Sequence, residues 1–466
     1  MRKIKFLILA LILSSGGCIS VHKPDLQEQN HAELNTFKNN ERILILAPHP
    51  DDEAIACSGI IQKALKAGAQ VRIVYLTNGD HNEFAFIIYE KRITMRQSEF
   101  IYLGKLRQKE STRAMKFLGL SEKDLVFLGY PDYGIFEIFS KYWQTDKPFR
   151  DGLTRISSVP YMENPSYGTK YYGENILRDL TKQILDYHPD KIFVSHPADV
   201  NDDHRALYLF LQVALSDLGT RIAKPVIFPY LIHCQGWPKP RHYHPELELH
   251  PPDKFNGSGL SWQSLDLSQD EIDKKYRTIL FYKSQTQSSG FYLFSFAREN
   301  ELFSDYPQLE LNLPSASTGK DAYSGASEMF KEKEYPAGLK QAESLEENGL
   351  VSYAVENSFF VVRLDKPKKL SSRFGVMVYV FGYRQNTPFA QMPKIRIITM
   401  GKSCKVFSSK NRLIAPGVLL NFEKNSLIIK IPFQLLGQPD YALTALKAYH
   451  GTLPIDATVF RKVKIR

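Results

Sequence analysis

The chain has 466 residues, which is more than one ordinary domain uses, so its length predicts two domains. Hydrophobic residues make up 43% of the chain and aromatic residues 12%, and this content excludes wholesale disorder. The formal net charge is +10, but no dense run of Lys and Arg occurs, so the sequence does not indicate a partner nucleic acid.

The first residues predict a secretion signal. "MRKIK" is basic, and the apolar run at 6–13 is too short to span a bilayer but suits a signal peptide. Small residues then precede Cys18, an arrangement that resembles the lipobox of bacterial lipoproteins. We therefore expect residues 1–17 to be removed and Cys18 to be lipidated; an ordinary cleaved signal that contains a cysteine is the alternative. By resemblance to Gram-negative lipoproteins, Ile19 rather than Asp after the Cys favours the outer membrane, so the expected location is the bacterial cell envelope.

Residues 18–40 are polar and unpatterned, and we interpret them as a tether. Across residues 41–305, apolar runs such as "RILILA" and "VRIVYLT" alternate with segments of helical periodicity such as "EAIACSGIIQKALKAG". This alternation predicts an α/β domain, a Rossmann-like sandwich with a mostly parallel sheet. In such sheets, functional sites form outside the carboxyl ends of the strands.

The composition changes in residues 306–345, where Ser, Gly, Lys and Glu dominate, and this predicts a linker. Beyond it, short runs such as "GVMVYVFGY", "KIRIITMG" and "SLIIKIPF" are separated by turn residues, which predicts a β-sandwich over residues 346–466. This part faintly resembles DOMON or carbohydrate-binding sandwiches, so glycan binding and a purely structural role are both open.

The stretch "PHPDDE" follows the first predicted strand and contains His49, Asp51 and Asp52. Adjacent carboxylates repel each other unless a cation lies beside them. His49 and Asp52 are three residues apart and can both reach one metal ion, which leaves Asp51 as a general base. A structural turn in which Asp caps the following helix is the alternative.

A second polar cluster, "SHPADVNDDHRA" at 195–206, also follows a short predicted strand and begins a helix. His204 is the expected third ligand, so that two histidines and one aspartate would hold Zn²⁺ and leave a position open for water. A His that only begins a helix is the alternative. His233, His242 and His244 are interpreted as ordinary loop histidines.

Six motifs occur in order along the chain: "HPDDE" (49–53), "LTNGD" (76–80), "RQKESTRAMKFLG" (107–119), "GYPD" (129–132), "DDHRA" (202–206) and "KYRTILFYKSQ" (275–285). On these motifs the chain resembles the PIG-L/LmbE family of zinc-dependent N-deacetylases. That family includes GlcNAc-phosphatidylinositol de-N-acetylases, deacetylases of the mycothiol and bacillithiol pathways, and diacetylchitobiose deacetylases. The resemblance implies that His49, Asp52 and His204 bind zinc and that Asp51 activates the water.

The resemblance also implies that Arg107 and Asp132 hold the sugar part of a substrate. From the residues alone, Arg107 is nearly as well explained as a helix-surface partner of Glu99 or Glu110, and Asp132 as a turn residue.

One position departs from the family pattern. Many members carry His-Pro-Asp-His around the third ligand, and the first of those histidines stabilises the oxyanion; Asn201 stands at that place here. An amide donates a hydrogen bond but carries no positive charge, so Asn201 is the expected oxyanion partner with an altered pH profile. His196 would substitute only if its loop folded back.

The expected function is removal of the N-acetyl group from an N-acetylglucosamine-type sugar in a glycan or glycoconjugate, through a metal-activated water. The expected partners are that substrate and, through the lipid anchor, a membrane. The alternative is a catalytically weakened glycan-binding lipoprotein of the envelope.

Overall fold

The structure, a computed structural model, describes residue 34 and residues 36–91, 96–144, 147–256, 260–311, 324–328, 349–366 and 369–465. The expected signal peptide, Cys18 and most of the expected tether lie outside these ranges. Within them, no helix combines the length and the apolar character needed to cross a bilayer.

The first part of the chain folds into a seven-stranded sheet with helices on both faces. Its strands are β1 (Arg42–Ala47), β2 (Gln70–Thr77), β3 (Leu125–Tyr130), β4 (Lys191–Ser195), β5 (Val226–Tyr230), β6 (Trp262–Asp266) and β7 (Asn300–Ser304). Its helices are α1 (Asp52–Lys66), α2 (Glu83–Glu90), α3 (Gln97–Leu118), α4 (Ile135–Lys141), α5 (Gly173–Tyr187), α6 (Asp202–Leu218), α7 (Gln269–Ile279) and α8 (Lys283–Leu293). The strand order is β3-β2-β1-β4-β5-β7-β6; the first five strands are parallel, and β7 pairs antiparallel with both β5 and β6. This confirms the predicted α/β fold with a mostly parallel sheet.

The order of the strands brings the two polar clusters together. β1 pairs in parallel with β2 on one side and with β4 on the other, so the chain reverses its direction of travel across the sheet between β1 and β4. Ligand sites of open α/β sheets lie at such a switch point, outside the carboxyl ends of the strands. His49 follows β1, and His204 lies in the first turn of α6, the helix after β4, so these side chains meet although they are 155 residues apart.

The apolar run of β1 faces two separate cores. Leu44 and Leu46 pack into the core on the side of α5 and α6, whereas Ile43 and Ile45 pack into the core on the side of α1 and α3. Successive side chains of a strand point to opposite faces, so a strand covered on both faces must be apolar throughout. The uninterrupted sequence "RILILA" therefore reflects a central strand.

The second part of the chain is a β-sandwich of mostly antiparallel strands. One sheet contains β9 (Ser324–Glu328), β10 (Leu350–Glu356), β11 (Phe359–Asp365), β16 (Leu419–Phe422) and β17 (Ser426–Pro432). The other contains β8 (Leu309–Glu310), β12 (Phe374–Tyr383), β13 (Lys394–Met400), β14 (Ser403–Ser408), β15 (Asn411–Arg412), β18 (Tyr441–His450), β19 (Leu453–Ala457) and β20 (Arg461–Lys464). The inner faces of both sheets share one apolar core, which confirms the predicted C-terminal β-sandwich. β8 and β9 lie inside the range that the sequence assigns to a linker.

The sandwich packs against the α/β domain through the outer face of β12. Val378 and Val380 of this strand face the core of the sandwich, whereas Tyr379 and Phe381 face α4 and α6. The rings of Phe381 and Phe139 lie edge to face with 5.3 Å between their centroids. We call this contact between α4 and the outer face of β12 the domain junction. β12 is thus buried on both faces, like β1.

Candidate metal centre

The turn between β1 and α1 holds its acidic side chains in different directions. The Asp52 carboxylate accepts a hydrogen bond of 2.9 Å from the backbone N–H of His49. Asp51 has a φ of 127°, which is rare for a residue other than glycine, and its backbone N–H donates to the Glu53 carboxylate at 2.9 Å. Such backbone strain persists only where neighbouring contacts enforce it, and it concentrates at functional sites.

Three donor atoms from the two clusters form a near-equilateral triangle, which we call the donor triangle. Asp52 Oδ2 lies 3.3 Å from His49 Nδ1 and 3.2 Å from His204 Nε2, and the two nitrogens lie 3.3 Å apart. Zinc bonds of about 2.0–2.1 Å at tetrahedral angles separate ligand atoms by about 3.3 Å. The predicted ligands therefore come together with the donor atoms and the spacing of a tetrahedral metal site with three protein ligands.

The field around the donor triangle favours a cation. His49 Nε2 lies 3.0 Å from Asp132 Oδ1, and His204 Nδ1 lies 3.2 Å from Asp199 Oδ2. Burial alone would lower the pKa of His204, but Asp199 and Asp52 outweigh it and raise that pKa to about 9. Burial alone would also lower the pKa of His49, but the surrounding carboxylates, chiefly Asp132, raise it well above its usual value. Surroundings that hold protons on two buried imidazoles also stabilise a bound divalent ion.

Asp199 fixes the orientation of His204. Besides the His204 ring, it accepts hydrogen bonds from the backbone N–H groups of His233 at 2.9 Å and Asn201 at 2.9 Å. Burial would raise the pKa of Asp199, but His204 and His233 hold it well below its usual value, so the residue is a carboxylate. A carboxylate behind a ligating histidine sets the tautomer and the direction of the ring.

Arg107 joins two turns at the carboxyl edge of the sheet. Its guanidinium lies 3.1 Å from the Asp51 carboxylate and donates to the carbonyls of Pro50 and Gly79 at 2.8 and 2.9 Å. The residue is only 4% exposed, so the interpretation of Arg107 as a helix-surface partner of acidic neighbours is wrong. Burial raises the pKa of Asp51 to about 7, although the Arg107 guanidinium acts to lower it.

A cavity of about 120 Å³ lies over these residues. Its walls include all the predicted catalytic, substrate-binding and metal-binding residues except the fully buried His204: His49, Asp51, Asp52, Arg107, Asp132 and Asn201. The structure thus gathers the predicted residues around one small pocket. Asp132 is not merely a turn residue, because it contacts His49 directly.

Asn201 has a structural role that the sequence did not indicate. Its side-chain oxygen accepts a hydrogen bond of 2.8 Å from the backbone N–H of Asp203, which caps the N-terminus of α6. His196, in contrast, lies outside the pocket with its ring stacked on Trp262, and burial lowers its pKa to about 3. His196 therefore does not take the place of the family's oxyanion histidine.

Three residues of the site were not predicted as site residues from the sequence. Asp199 orients His204; Asp203 accepts the backbone N–H of Ile135 at 3.1 Å and approaches His49 Nε2 to 3.5 Å. His233, interpreted as an ordinary loop histidine, lines the pocket. Their position along the sequence could have indicated them, because all three follow the carboxyl ends of the adjacent strands β4 and β5.

The fold and the donor triangle define an α/β domain with a candidate metal centre at the switch point of its sheet. Among protein families, residues 44–215 match PIG-L, described as GlcNAc-PI de-N-acetylase. This part of the chain thus matches the PIG-L family model, which confirms the resemblance seen in the motifs.

Curated relatives match over shorter segments. A probable N-acetyl-alpha-D-glucosaminyl L-malate deacetylase 2 of Bacillus anthracis is 35% identical over 96 residues, which is 21% of this chain and 38% of the relative. A 1D-myo-inositol 2-acetamido-2-deoxy-alpha-D-glucopyranoside deacetylase of Mycobacterium sp. (strain KMS) is 34% identical over 92 residues, which is 20% of this chain and 28% of the relative. The chain thus spans less than two fifths of the length of these relatives.

Matches among solved structures include the N,N'-diacetylchitobiose deacetylase from Pyrococcus horikoshii, with 19% identity and a TM-score of 0.32 over 53% of this chain and 70% of that chain. A deacetylase of teicoplanin biosynthesis has 14% identity and a TM-score of 0.33 over 53% of this chain and 85% of that chain.

Proposed function

We propose that the protein is a zinc-dependent hydrolase that removes the N-acetyl group from an N-acetylglucosamine-type sugar in a glycan or glycoconjugate. The observation that carries the proposal is the donor triangle of His49, Asp52 and His204, with edges of 3.2 to 3.3 Å. The Asp51 carboxylate, paired with Arg107, lines the same pocket. The PIG-L domain and the names of the curated relatives, both deacetylases of N-acetylated glucosamine compounds, support the same reaction.

In this proposal His49, Asp52 and His204 hold the metal, which when bound supplies Lewis acidity toward the acetamide carbonyl and toward a water. Asp51 accepts a proton from the attacking water and then returns it to the nitrogen of the departing amine. The Arg107 guanidinium, 3.1 Å from Asp51, keeps that carboxylate in place. The products are a free amino sugar and acetate.

The remaining residues of the pocket position the substrate. Asn201 uses its side-chain oxygen to cap α6, so its amide N–H groups are available as donors to the oxyanion. Arg107 and Asp132 line the same pocket and are proposed to contact the sugar. Asp132 also holds the ring of His49 at 3.0 Å, so this carboxylate serves both the ligand and the substrate.

We further propose that the protein acts in the bacterial cell envelope, anchored through a lipid on Cys18. The support is the sequence alone: the basic segment "MRKIK", the short apolar run after it and the small residues before Cys18. Two measurements test this location: whether globomycin blocks processing of the protein, and whether Cys18→Ser loses its membrane association.

Replacement Asp51→Asn tests the catalytic proposal. Loaded with zinc, the full chain should release acetate from N-acetylglucosamine oligomers, lose this activity with a chelator and regain it with zinc. Asp51→Asn should keep the zinc content of the unmodified protein in elemental analysis but lose about 10²- to 10⁴-fold in turnover, because the amide cannot accept the proton.

Asp186→Asn, an exposed position on α5, serves as the matched control and should keep full activity. Undiminished turnover in Asp51→Asn would remove Asp51 from the mechanism. Binding of the oligomers by the zinc-loaded protein without any acetate release would instead favour the glycan-binding alternative.

A further inference from the structure

A second and larger cavity, of about 390 Å³, lies where the loops of the α/β domain meet the sandwich. We call it the side cavity. Its walls come from the loops that follow β4 and β5, from residues 248–254 and from residues 457–459 of the sandwich. Arg205 of the motif "DDHRA" also lines it, but the chemistry proposed for the metal centre does not use this cavity.

The side cavity and the pocket at the metal centre are neighbours at two places along the chain. Asn201 lines the pocket and Val200 lines the side cavity; His233 lines the pocket and Cys234 lines the side cavity. Consecutive Cα atoms are about 3.8 Å apart. The two segments are also joined, because the backbone N–H of Val200 donates to the carbonyl of His233 at 3.1 Å. The two spaces therefore adjoin each other at residues 200–201 and 233–234, where Val200 is exposed.

The sizes of the two spaces differ in a way that matters for the substrate. Pockets that enclose a whole small molecule have volumes of about 300–1,000 Å³. The pocket at the metal centre, at about 120 Å³, has room for an acetamido group and part of one sugar ring. The side cavity, at about 390 Å³, falls within the range for a complete ligand. The side cavity is therefore an adjoining enclosed space that the rest of a longer substrate can occupy.

The lining of the side cavity combines apolar surfaces with charges of both signs. Trp237 and several prolines supply flat apolar walls. The charged residues of the lining are Arg205, Lys239, Lys254, Glu248 and Asp253. A neutral sugar presents apolar C–H faces together with hydroxyl groups that both donate and accept hydrogen bonds. Such a ligand uses both kinds of wall, whereas an anionic ligand would meet the carboxylates and a purely apolar ligand would leave the charges unsolvated.

The wall that the sandwich contributes is firmly attached. Val459 packs with Ala198, Leu231, Cys234 and Phe255 in one buried apolar cluster that joins the sandwich to the loops after β4 and β5. The side cavity is therefore formed before any ligand arrives, which reduces the entropy cost of binding.

We propose that the side cavity is a second sugar-binding subsite, and that the substrate is a neutral oligosaccharide whose N-acetylated residue enters the metal centre while an adjoining sugar fills the side cavity. This inference rests on the proposed deacetylase function. It also gives the sandwich a role, since the sandwich supplies one wall of the subsite.

The test compares acetate release from N-acetylglucosamine and from its oligomers of two to five residues, with the full chain loaded with zinc. We expect kcat/KM to rise about tenfold or more from monomer to oligomer, equivalent to about 1.4 kcal/mol of added transition-state binding. Lys239→Trp places an indole in the side cavity at an exposed position before Pro240. In this variant kcat/KM should no longer rise with the length of the oligomer. The kcat/KM for the monomer should stay within about twofold of the unmodified protein, because only binding remote from the metal centre is lost.

Lys224→Trp is the matched control, because Lys224 is also exposed, precedes Pro225 and lines a different cavity of about 330 Å³ beside α6. It should behave like the unmodified protein. Equal kcat/KM for monomer and oligomers, or an equal loss on all of them in Lys239→Trp, would overturn the subsite and leave the deacetylase function standing.

Calorimetric binding of the same oligomers to the Asp51→Asn protein separates the two proposals. If no oligomer is deacetylated by the unmodified protein, but affinity still rises with length and falls in Lys239→Trp, the subsite stands and the deacetylase function fails. Affinity that is independent of length overturns the subsite whatever the activity.

Discussion

At the residue scale, each predicted histidine ligand is held from both sides. His49 directs Nδ1 to the donor triangle and has Asp132 3.0 Å from its Nε2; His204 directs Nε2 to the triangle and has Asp199 3.2 Å from its Nδ1. The carboxylate behind each ring fixes which nitrogen carries the proton. The ligands are therefore oriented before a metal binds.

Replacement Asp199→Asn should lower the affinity for zinc by about 10- to 100-fold, because a neutral amide neither fixes the tautomer of His204 nor supplies negative charge behind it. Titration of the metal-free protein with zinc against a competing chelator measures the change. Asp190→Asn is the control, since Asp190 lies at the opposite end of β4 and pairs with Arg42 near the surface. Equal zinc affinity in Asp199→Asn and the unmodified protein would contradict the orienting role.

The sequence indicated His49, Asp52 and His204 because ligand spacing and strand ends are visible in the order of residues. It did not indicate that Arg107 would be buried against Asp51 or that Asn201 would cap α6. Those contacts depend on the three-dimensional arrangement of separate turns, which a local sequence pattern does not indicate.

At the scale of elements, β20 carries a lysine into the contact with α6. Lys462 Nζ lies 3.3 Å from Ser216 Oγ and 4.2 Å above the ring of Tyr441. Burial, and then the charge of Lys224, lower the pKa of Lys462 to about 8. Burial raises the pKa of Tyr441 well above its usual value, so this phenol stays neutral where Lys462 titrates.

Lys462→Met should make the protein more stable at pH 7, and this advantage should shrink as the pH rises toward 10. Below pH 8 the ammonium is charged in both states, so the folded protein bears the full cost of burying it. Between the folded pKa of about 8 and the unfolded pKa of about 10.4, the unfolded chain binds more protons, so the free energy of unfolding of the unmodified protein rises with pH.

Urea unfolding of both proteins at pH 7, 8, 9 and 10 measures the difference. Lys464→Met, on the same strand but exposed, is the control and should show no comparable trend. A stability difference that stays constant or grows with pH would contradict a depressed pKa at Lys462.

Long, periodic elements such as β1 and α1 were predicted from the sequence, because their apolar patterns are continuous. β8 has two residues and β9 reads "SGASE", so neither carries an apolar alternation that distinguishes a strand from a linker. β8 and β9 are strands because their backbones pair with the longer strands β20 and β10. Their own sequences therefore do not predict that they are strands.

At the scale of the whole molecule, the domain junction couples two cores. Phe381 is fully buried between β12 and α4, where its ring meets Phe139, and the opposite face of the same strand fills the core of the sandwich. A disturbance at this position therefore reaches both parts of the chain.

Phe381→Ala should lower the free energy of unfolding by about 3–5 kcal/mol, because it removes a large buried side chain and leaves a cavity. Denaturant unfolding followed by circular dichroism and by tryptophan fluorescence measures the loss. Phe291→Ala, at a half-exposed position on α8, should cost less than about 1 kcal/mol. A loss in Phe381→Ala as small as in Phe291→Ala would mean that the junction is not packed in solution.

The apolar run "GVMVYVFGY" indicated a strand, but a sequence pattern does not show which other surface packs against an apolar face. The division into an α/β part and a β part was readable from the change in periodicity. The packing of one part on the other was not, since it depends on the shape of two finished surfaces.

The burial of β12 on both faces has a consequence for how this gene can be cut and recombined. A fragment ending before the sandwich would present the aromatic side of α4 to water, and a sandwich expressed alone would present Tyr379 and Phe381. Exposed apolar patches of this kind promote aggregation. The two halves are thus not interchangeable modules, and a chimera that borrows either half must bring a matching face with it.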